Sequence, residues 1–103
     1  MLTDTVIDDP RWDALDLAGI AETAGRAALL HLGLAPEDHE IAVLGCDDAR
    51  IAELNGAFRD KDRPTNVLSW PAGDLAPDRE GERPHPPPGK DAFGASELGD
   101  IAI

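Results

Sequence analysis

LNGAFRDKDRPTNVLSWP, residues Leu54 to Pro71, closes a helix, gathers charge, turns at Pro64 and enters the apolar run Val67-Leu68-Ser69-Trp70. Ile51, Leu54, Asn55 and Phe58 stand at i, i+3, i+4 and i+7, the spacing of one helix face. Asp47 or Asp48 caps that helix. Arg59, Lys61 and Arg63 then place three of nine basic residues within five positions, in a chain of formal charge −12. An anion would find its partner there. Arg59 is the leading candidate, because a planar guanidinium holds a phosphate by two parallel hydrogen bonds and stabilises developing charge. Lys61 and Arg63 would add contacts to a nucleic-acid backbone without reading sequence. The plainer alternative is a solvated turn whose Asp60 and Asp62 neutralise these cations. Asn55 is unusual on an apolar face; it either bonds nearby backbone or positions the loop that follows.

Outward from this stretch, Thr5-Val6-Ile7 predicts a short strand, and Asp8-Asp9-Pro10 its exit into a helix. From Trp12 to Leu32, Leu17, Ile20, Ala21, Ala24, Ala27, Ala28 and His31 recur at three and four, predicting one amphipathic helix that Gly33 stops. Leu34 to His39 is a linker. Glu40 to Leu44 is nearly continuous in apolar residues and predicts a central strand. On the other side, residues 72–98 hold five Pro, four Gly and nine charged residues with no period. They predict an extended, flexible insertion, with polyproline II at His85-Pro86-Pro87-Pro88. Strand character resumes at Leu98-Gly99-Asp100-Ile101-Ala102-Ile103. The order β-α-β-α-β-loop-β predicts an α+β domain with two helices packed on a sheet of parallel pairs. After so flexible a connection, the last strand could instead be antiparallel at an edge.

Composition narrows the chemistry. A net charge of −12 excludes a general nucleic-acid coat but not a local basic patch. The single Cys46 cannot form an internal disulfide and reads as a small buried thiol suited to a reducing cytoplasm. Met1-Leu2-Thr3-Asp4 lacks a signal peptide's basic and apolar regions, and no apolar run reaches the length of a membrane span. HExxH, CxxC, the P-loop and GxSxG are all absent. His31, His39 and His85 fall on a helix, a linker and a Pro-rich loop, so no metal ligands are expected in this chain.

The pattern Leu54-Asn55, Phe58-Arg59-x-Lys61-Asp62 and Pro64-Thr65-Asn66-Val67-Leu68-Ser69-aromatic-Pro71 resembles the YbeY family of rRNA maturation endoribonucleases. Leu98-Gly99-Asp100-Ile101-Ala102-Ile103 resembles that family's next strand. Trp70 stands where the family usually has Phe. The resemblance implies a zincin-like fold with a mixed sheet of about four strands. It also implies metal-dependent cleavage of single-stranded RNA, with Arg59 in catalysis. Further implications are zinc as cofactor, rRNA and the small ribosomal subunit as partners, a cytoplasmic monomer and no membrane. The family's zinc motif, His-x3-His-x5-His, lies downstream of the Leu-Gly-Asp strand and outside this sequence. Residues 1–103 are therefore expected to be one partial domain, truncated at the last strand and inactive alone. Two other readings stay open: an acidic, non-enzymatic interaction module or inactive remnant, and a peptidase-like hydrolase, which lacks a general-base Glu in the proper motif.

Overall fold

The computed structural model describes residues 1–90 and 94–103; residues 91–93, part of the expected insertion, lie outside the described residues. The elements in order are β1 (Thr3–Ile7), α1 (Arg11–Ala14), α2 (Leu17–His31), β2 (His39–Gly45), α3 (Asp48–Arg59), β3 (Leu68–Pro71) and β4 (Ser96–Ala102). A single 3-10 turn, Pro36–Asp38, joins α2 to β2. The strands form one mixed sheet in the order β1-β2-β4-β3, with β1/β2 and β2/β4 parallel and β3/β4 antiparallel.

The α+β class predicted from the sequence and the mixed four-stranded sheet implied by the resemblance are both present, with two corrections. The expected single helix from Trp12 to Leu32 is two helices, making three in all. Asp16 adopts a left-handed conformation (φ 54°, ψ 51°) and its carboxylate accepts the N–H of Gly19 at 3.3 Å, so α2 starts afresh at Leu17. The buried face of α2 runs through Leu17, Ala21, Gly25 and Leu29, of which Leu17 and Ala21 belong to the expected stripe, while Ile20 is 58 % exposed and His31 exposed. The second correction is the last strand. β4 is central, inserted between β2 and the edge strand β3, and it is β3 that runs antiparallel. Leu98 is an extra residue in β4, because Glu40 pairs with Glu97 while Ile41 pairs with Gly99.

Helices cover both faces of the sheet. On one face α2 approaches β1 and β2, where a Cβ on Gly25 would sit 3.0 Å from Leu2 and 3.8 Å from Ile41. The Trp12 indole N–H donates to the Cys46 carbonyl at 2.7 Å and fixes α1 against the end of β2. On the other face Ile51 of α3 packs with Cys46, Leu68 and Ala102, flanked by Leu44, Leu54 and Trp70. Burying these side chains supplies the main drive for closing α3 on the sheet.

Part of the long insertion lies close to the C-terminal end of α2. Leu75, Pro84 and Pro87 share a cleft of about 430 Å³ with Leu29, Leu32 and Leu34. The His85 N–H donates to the Leu75 carbonyl at 2.8 Å. No helix among the described residues is long and apolar enough to cross a membrane.

Candidate nucleic-acid interface

The site is assembled by the end of α3 and the loop behind it. Asp47 starts the helix: its carboxylate accepts the Arg50 N–H at 2.8 Å and meets the positive end of the helix dipole. Asp60 ends it in a left-handed conformation (φ 56°, ψ 38°) that turns the chain sharply. The last helical residue, Arg59, reaches across to β3, where its Nη2 donates to the Ser69 carbonyl at 2.9 Å. Beside it Phe58 meets Trp70 edge-on, with ring centroids 5.3 Å apart and planes at 73°. These two contacts hold the end of α3 to the edge strand.

The loop folds back at once. The Lys61 N–H donates to the Asn55 backbone carbonyl at 3.2 Å, and the Arg63 N–H to the Lys61 carbonyl at 2.7 Å. The Asn55 amide then donates to the Arg63 carbonyl at 2.9 Å. Of the two roles open for Asn55 in the sequence, the structure shows the side-chain hydrogen bond to nearby backbone, and that backbone belongs to the loop that follows. As a result Arg59, Lys61 and Arg63 all line one cleft of about 360 Å³, with Pro64, Thr65 and Val67. Among the described residues, none of the three cations has a carboxylate oxygen within 4.0 Å. Asp60 and Asp62 thus form no ion pair with them within that distance. The side chains are exposed, so their field reaches a ligand but is screened beyond about 10 Å at moderate salt.

Among the described residues no metal centre is assembled. His31 ends α2 in solvent, and His39 is buried at the first residue of β2. His85 sits on the insertion with Nε2 3.1 Å from Asp78 Oδ1. Cys46 is buried, and its Sγ–H donates to the Ile103 carbonyl at 3.6 Å. Burial, then the nearby Asp8 and Asp47 carboxylates, push its thiol above the ordinary cysteine range, away from the thiolate a metal needs. Asp100, on β4, is exposed and shares a cleft of about 330 Å³ with Asp4, Glu40 and Glu97. Among the described residues no three His, Cys, Asp or Glu converge on one point. The donors present therefore do not fit zinc.

Sequence reasoning found the three cations but not the anchor of the first. The Ser69 carbonyl carries no local signal, since any residue of β3 would supply one. Also missed was an open apolar trough of about 460 Å³ among Val6, Leu44, Leu54, Phe58 and Trp70, with Asp4 and Asp100 in its walls. Val6 and Phe58 remain 58 % and 62 % exposed there.

Fold and site together define a layered α+β domain that presents an ordered cationic cleft on an acidic body. The family model described as Endoribonuclease YbeY matches residues 8–103, and the chain belongs to that family. It is 55 % identical over 103 residues to Endoribonuclease YbeY of Ruegeria sp. (strain TM1040), covering all of this chain and 60 % of the relative. Against the protein of the same name from Jannaschia sp. (strain CCS1), identity is 52 % over 103 residues, covering all of this chain and 61 % of the relative. The Dinoroseobacter shibae protein of that name is 55 % identical over 96 residues, 93 % of this chain and 52 % of its own length. The chain spans between half and about three-fifths of the length of these curated relatives.

Proposed function

We propose that this chain is the RNA-contacting portion of a single-strand endoribonuclease acting in rRNA maturation and ribosome quality control. The observation that carries this reading is the cleft in which Arg59, Lys61 and Arg63 meet without a carboxylate partner. Family membership supplies the substrate class. In this reading Arg59 is the catalytic residue. Its guanidinium grips the scissile phosphate by two hydrogen bonds and stabilises the charge that grows there during phosphodiester cleavage. Lys61 and Arg63 hold neighbouring phosphates as point charge and fork respectively.

The zinc that the family resemblance implies has no ligand set among the described residues. The roles assigned to this chain are thus binding and charge stabilisation, and residues 1–103 alone do not cleave RNA. The same reading makes the chain one partial domain of a cytoplasmic monomer whose partners are rRNA and the small ribosomal subunit. A second reading, an acidic interaction module, is favoured by the open trough walled in part by Asp4 and Asp100.

Titration with a labelled single-stranded oligoribonucleotide over a salt series separates the two. Phosphate contacts predict affinity that falls with salt, by about 0.7 in the log–log slope per contact, and that is lost when Arg59, Lys61 and Arg63 are changed to Ala. Undetectable binding, or binding indifferent to salt and to those changes, leaves the interaction module.

A further inference from the structure

Asn55 is a buried carboxamide, 4 % exposed, on a helix face otherwise made of apolar side chains. Buried polar groups persist where their hydrogen bonds are satisfied, so the partners of this one carry information. Its Nδ2–H donates to the Arg63 carbonyl at 2.9 Å, and its own backbone carbonyl accepts the Lys61 N–H at 3.2 Å. One residue therefore holds both ends of the tripeptide Lys61-Asp62-Arg63. Inside the tripeptide the Arg63 N–H donates to the Lys61 carbonyl at 2.7 Å, closing a three-residue turn. With Asp60 left-handed just before it, the chain reverses within one residue of α3 and brings Lys61 and Arg63 to the cleft that Arg59 lines.

We propose that Asn55 is the positioning residue of this cleft: its amide sets Lys61 and Arg63 against Arg59, and thereby how many phosphates of a single-stranded RNA the cleft contacts at once. The proposal rests on the RNA-binding reading above. Arg59 is anchored separately, on the Ser69 carbonyl. Loss of the Asn55 amide thus frees Lys61 and Arg63 and leaves Arg59 where it is. The cleft then keeps one ordered cation of three.

Asn55→Asp tests this with almost no change of shape, replacing a donor by an acceptor that faces the Arg63 carbonyl. The probe is a fluorescein-labelled single-stranded oligoribonucleotide titrated into the whole 103-residue chain over a salt series at neutral pH. The expected slope of log affinity against log salt falls by up to about 1.4, two contacts at about 0.7 each. It matches the slope of a Lys61→Ala/Arg63→Ala double variant, and combining the three changes costs nothing further. Because Asn55 also lines the cleft, the new carboxylate would itself repel phosphate, so Asn55→Leu, which removes the donor without adding charge, is measured beside it and is expected to give the same slope. A merely structural role does not give a slope shared with the double variant.

A glycine inserted after Asp62 is a second arm, for the case that the Asn55 variants do not fold. It breaks the spacing outside the helix and lowers the slope likewise. An unaltered slope in whichever of these variants folds, or losses that add to those of the double variant, overturns the positioning role. Salt-independent binding by the unaltered chain, or indifference to Lys61→Ala/Arg63→Ala, overturns the RNA-binding reading and this proposal with it.

Discussion

Gly99 lies directly against the carbonyl oxygen of Trp70, so close that a Cβ at this position would overlap that oxygen and stand 3.0 Å from the Pro71 Cα. Its φ of 150° is a conformation that side chains rarely adopt. The close approach falls where β4 carries its extra residue and where the edge strand β3 pairs with it. β3 holds Ser69, the anchor of Arg59, so the cleft depends on this contact.

Gly99→Ala accordingly destabilises the chain by about 2–4 kcal/mol, from backbone strain and steric overlap together. Gly89 has no atom within 4 Å of an added Cβ and serves as the control. Gly89→Ala stays within about 0.5 kcal/mol of the unaltered chain. Urea unfolding of the two variants checks this; equal midpoints would show that β3 and β4 do not meet as described.

Arg59→Lys keeps the charge and removes the planar fork. In a protein of its relatives' full length, RNA cleavage then falls by roughly 10–100-fold, the effect of about 1.4–2.7 kcal/mol of transition-state stabilisation. The far-ultraviolet circular dichroism is unchanged, because the hydrogen bond to Ser69 is exposed and one the lysine ammonium can also donate. Cleavage at the unaltered rate in the lysine variant would remove Arg59 from catalysis.

The cationic cluster was legible because its residues are neighbours in sequence, and the strands were legible because their apolar runs are short and bounded. Local periodicity found only part of the buried face of α2. Leu17 and Ala21 of the expected stripe turn inward, together with Gly25 and Leu29, while Ile20, Ala24 and His31 face solvent. In so alanine-rich a helix several stripes look apolar, and packing against the sheet chooses among them. The insertion of β4 between β2 and β3 is a matter of long-range pairing. Nothing within Leu98–Ile103 distinguishes a central strand from an edge one, save the cramped Gly99.

Glu22 ties the N-terminal strand to α2. Its carboxylate accepts the Thr3 N–H at 2.9 Å, the Thr3 hydroxyl at 2.8 Å and the Leu2 N–H at 3.2 Å. These hydrogen bonds, those of Thr3 foremost, lower its pKa from 4.5 to about 2. A carboxylate with a depressed folded-state pKa contributes its full stability above the unfolded value and loses it as pH falls toward the folded one. Thermal midpoints of the unaltered chain and of Glu22→Gln should therefore differ by a constant amount above about pH 5.5. The gap closes between pH 4.5 and about 2. A gap independent of pH across that window would mean that the carboxylate is not held this way.

Trypsin should cut first in the insertion, at Arg79 or Lys90, since Pro84 blocks the bond after Arg83. Both are exposed, and the described backbone around them makes few hydrogen bonds, chiefly Glu82 to Arg79 and His85 to Leu75. Mass spectrometry of early fragments checks this. First cleavage at Arg26 or Arg50, inside α2 or α3, would show instead that a helix opens more readily than the Pro-rich segment.

The chain of residues 1–103 should neither retain zinc nor cut RNA. Zinc held tightly by nitrogen or sulfur needs several donors converging at about 2.0–2.3 Å. Here His31, His39, His85 and Cys46 sit on the end of α2, the start of β2, the insertion and the end of the β2 turn, and the Cys46 thiol is held protonated by burial. Carboxylates do cluster, as Asp4, Glu40, Glu97 and Asp100 around one cleft, but oxygen donors alone suit harder cations than zinc. Dialysed protein should carry zinc well below one equivalent. Added EDTA should leave its thermal midpoint unmoved, since no bound ion contributes to the folded state. In the proposed reading the cationic cleft needs no metal to hold phosphate, so single-stranded RNA should still bind with the salt dependence that phosphate contacts impose. Stoichiometric zinc, a midpoint lowered by EDTA, or metal-dependent cleavage by this chain would each require a ligand set that its described residues do not form.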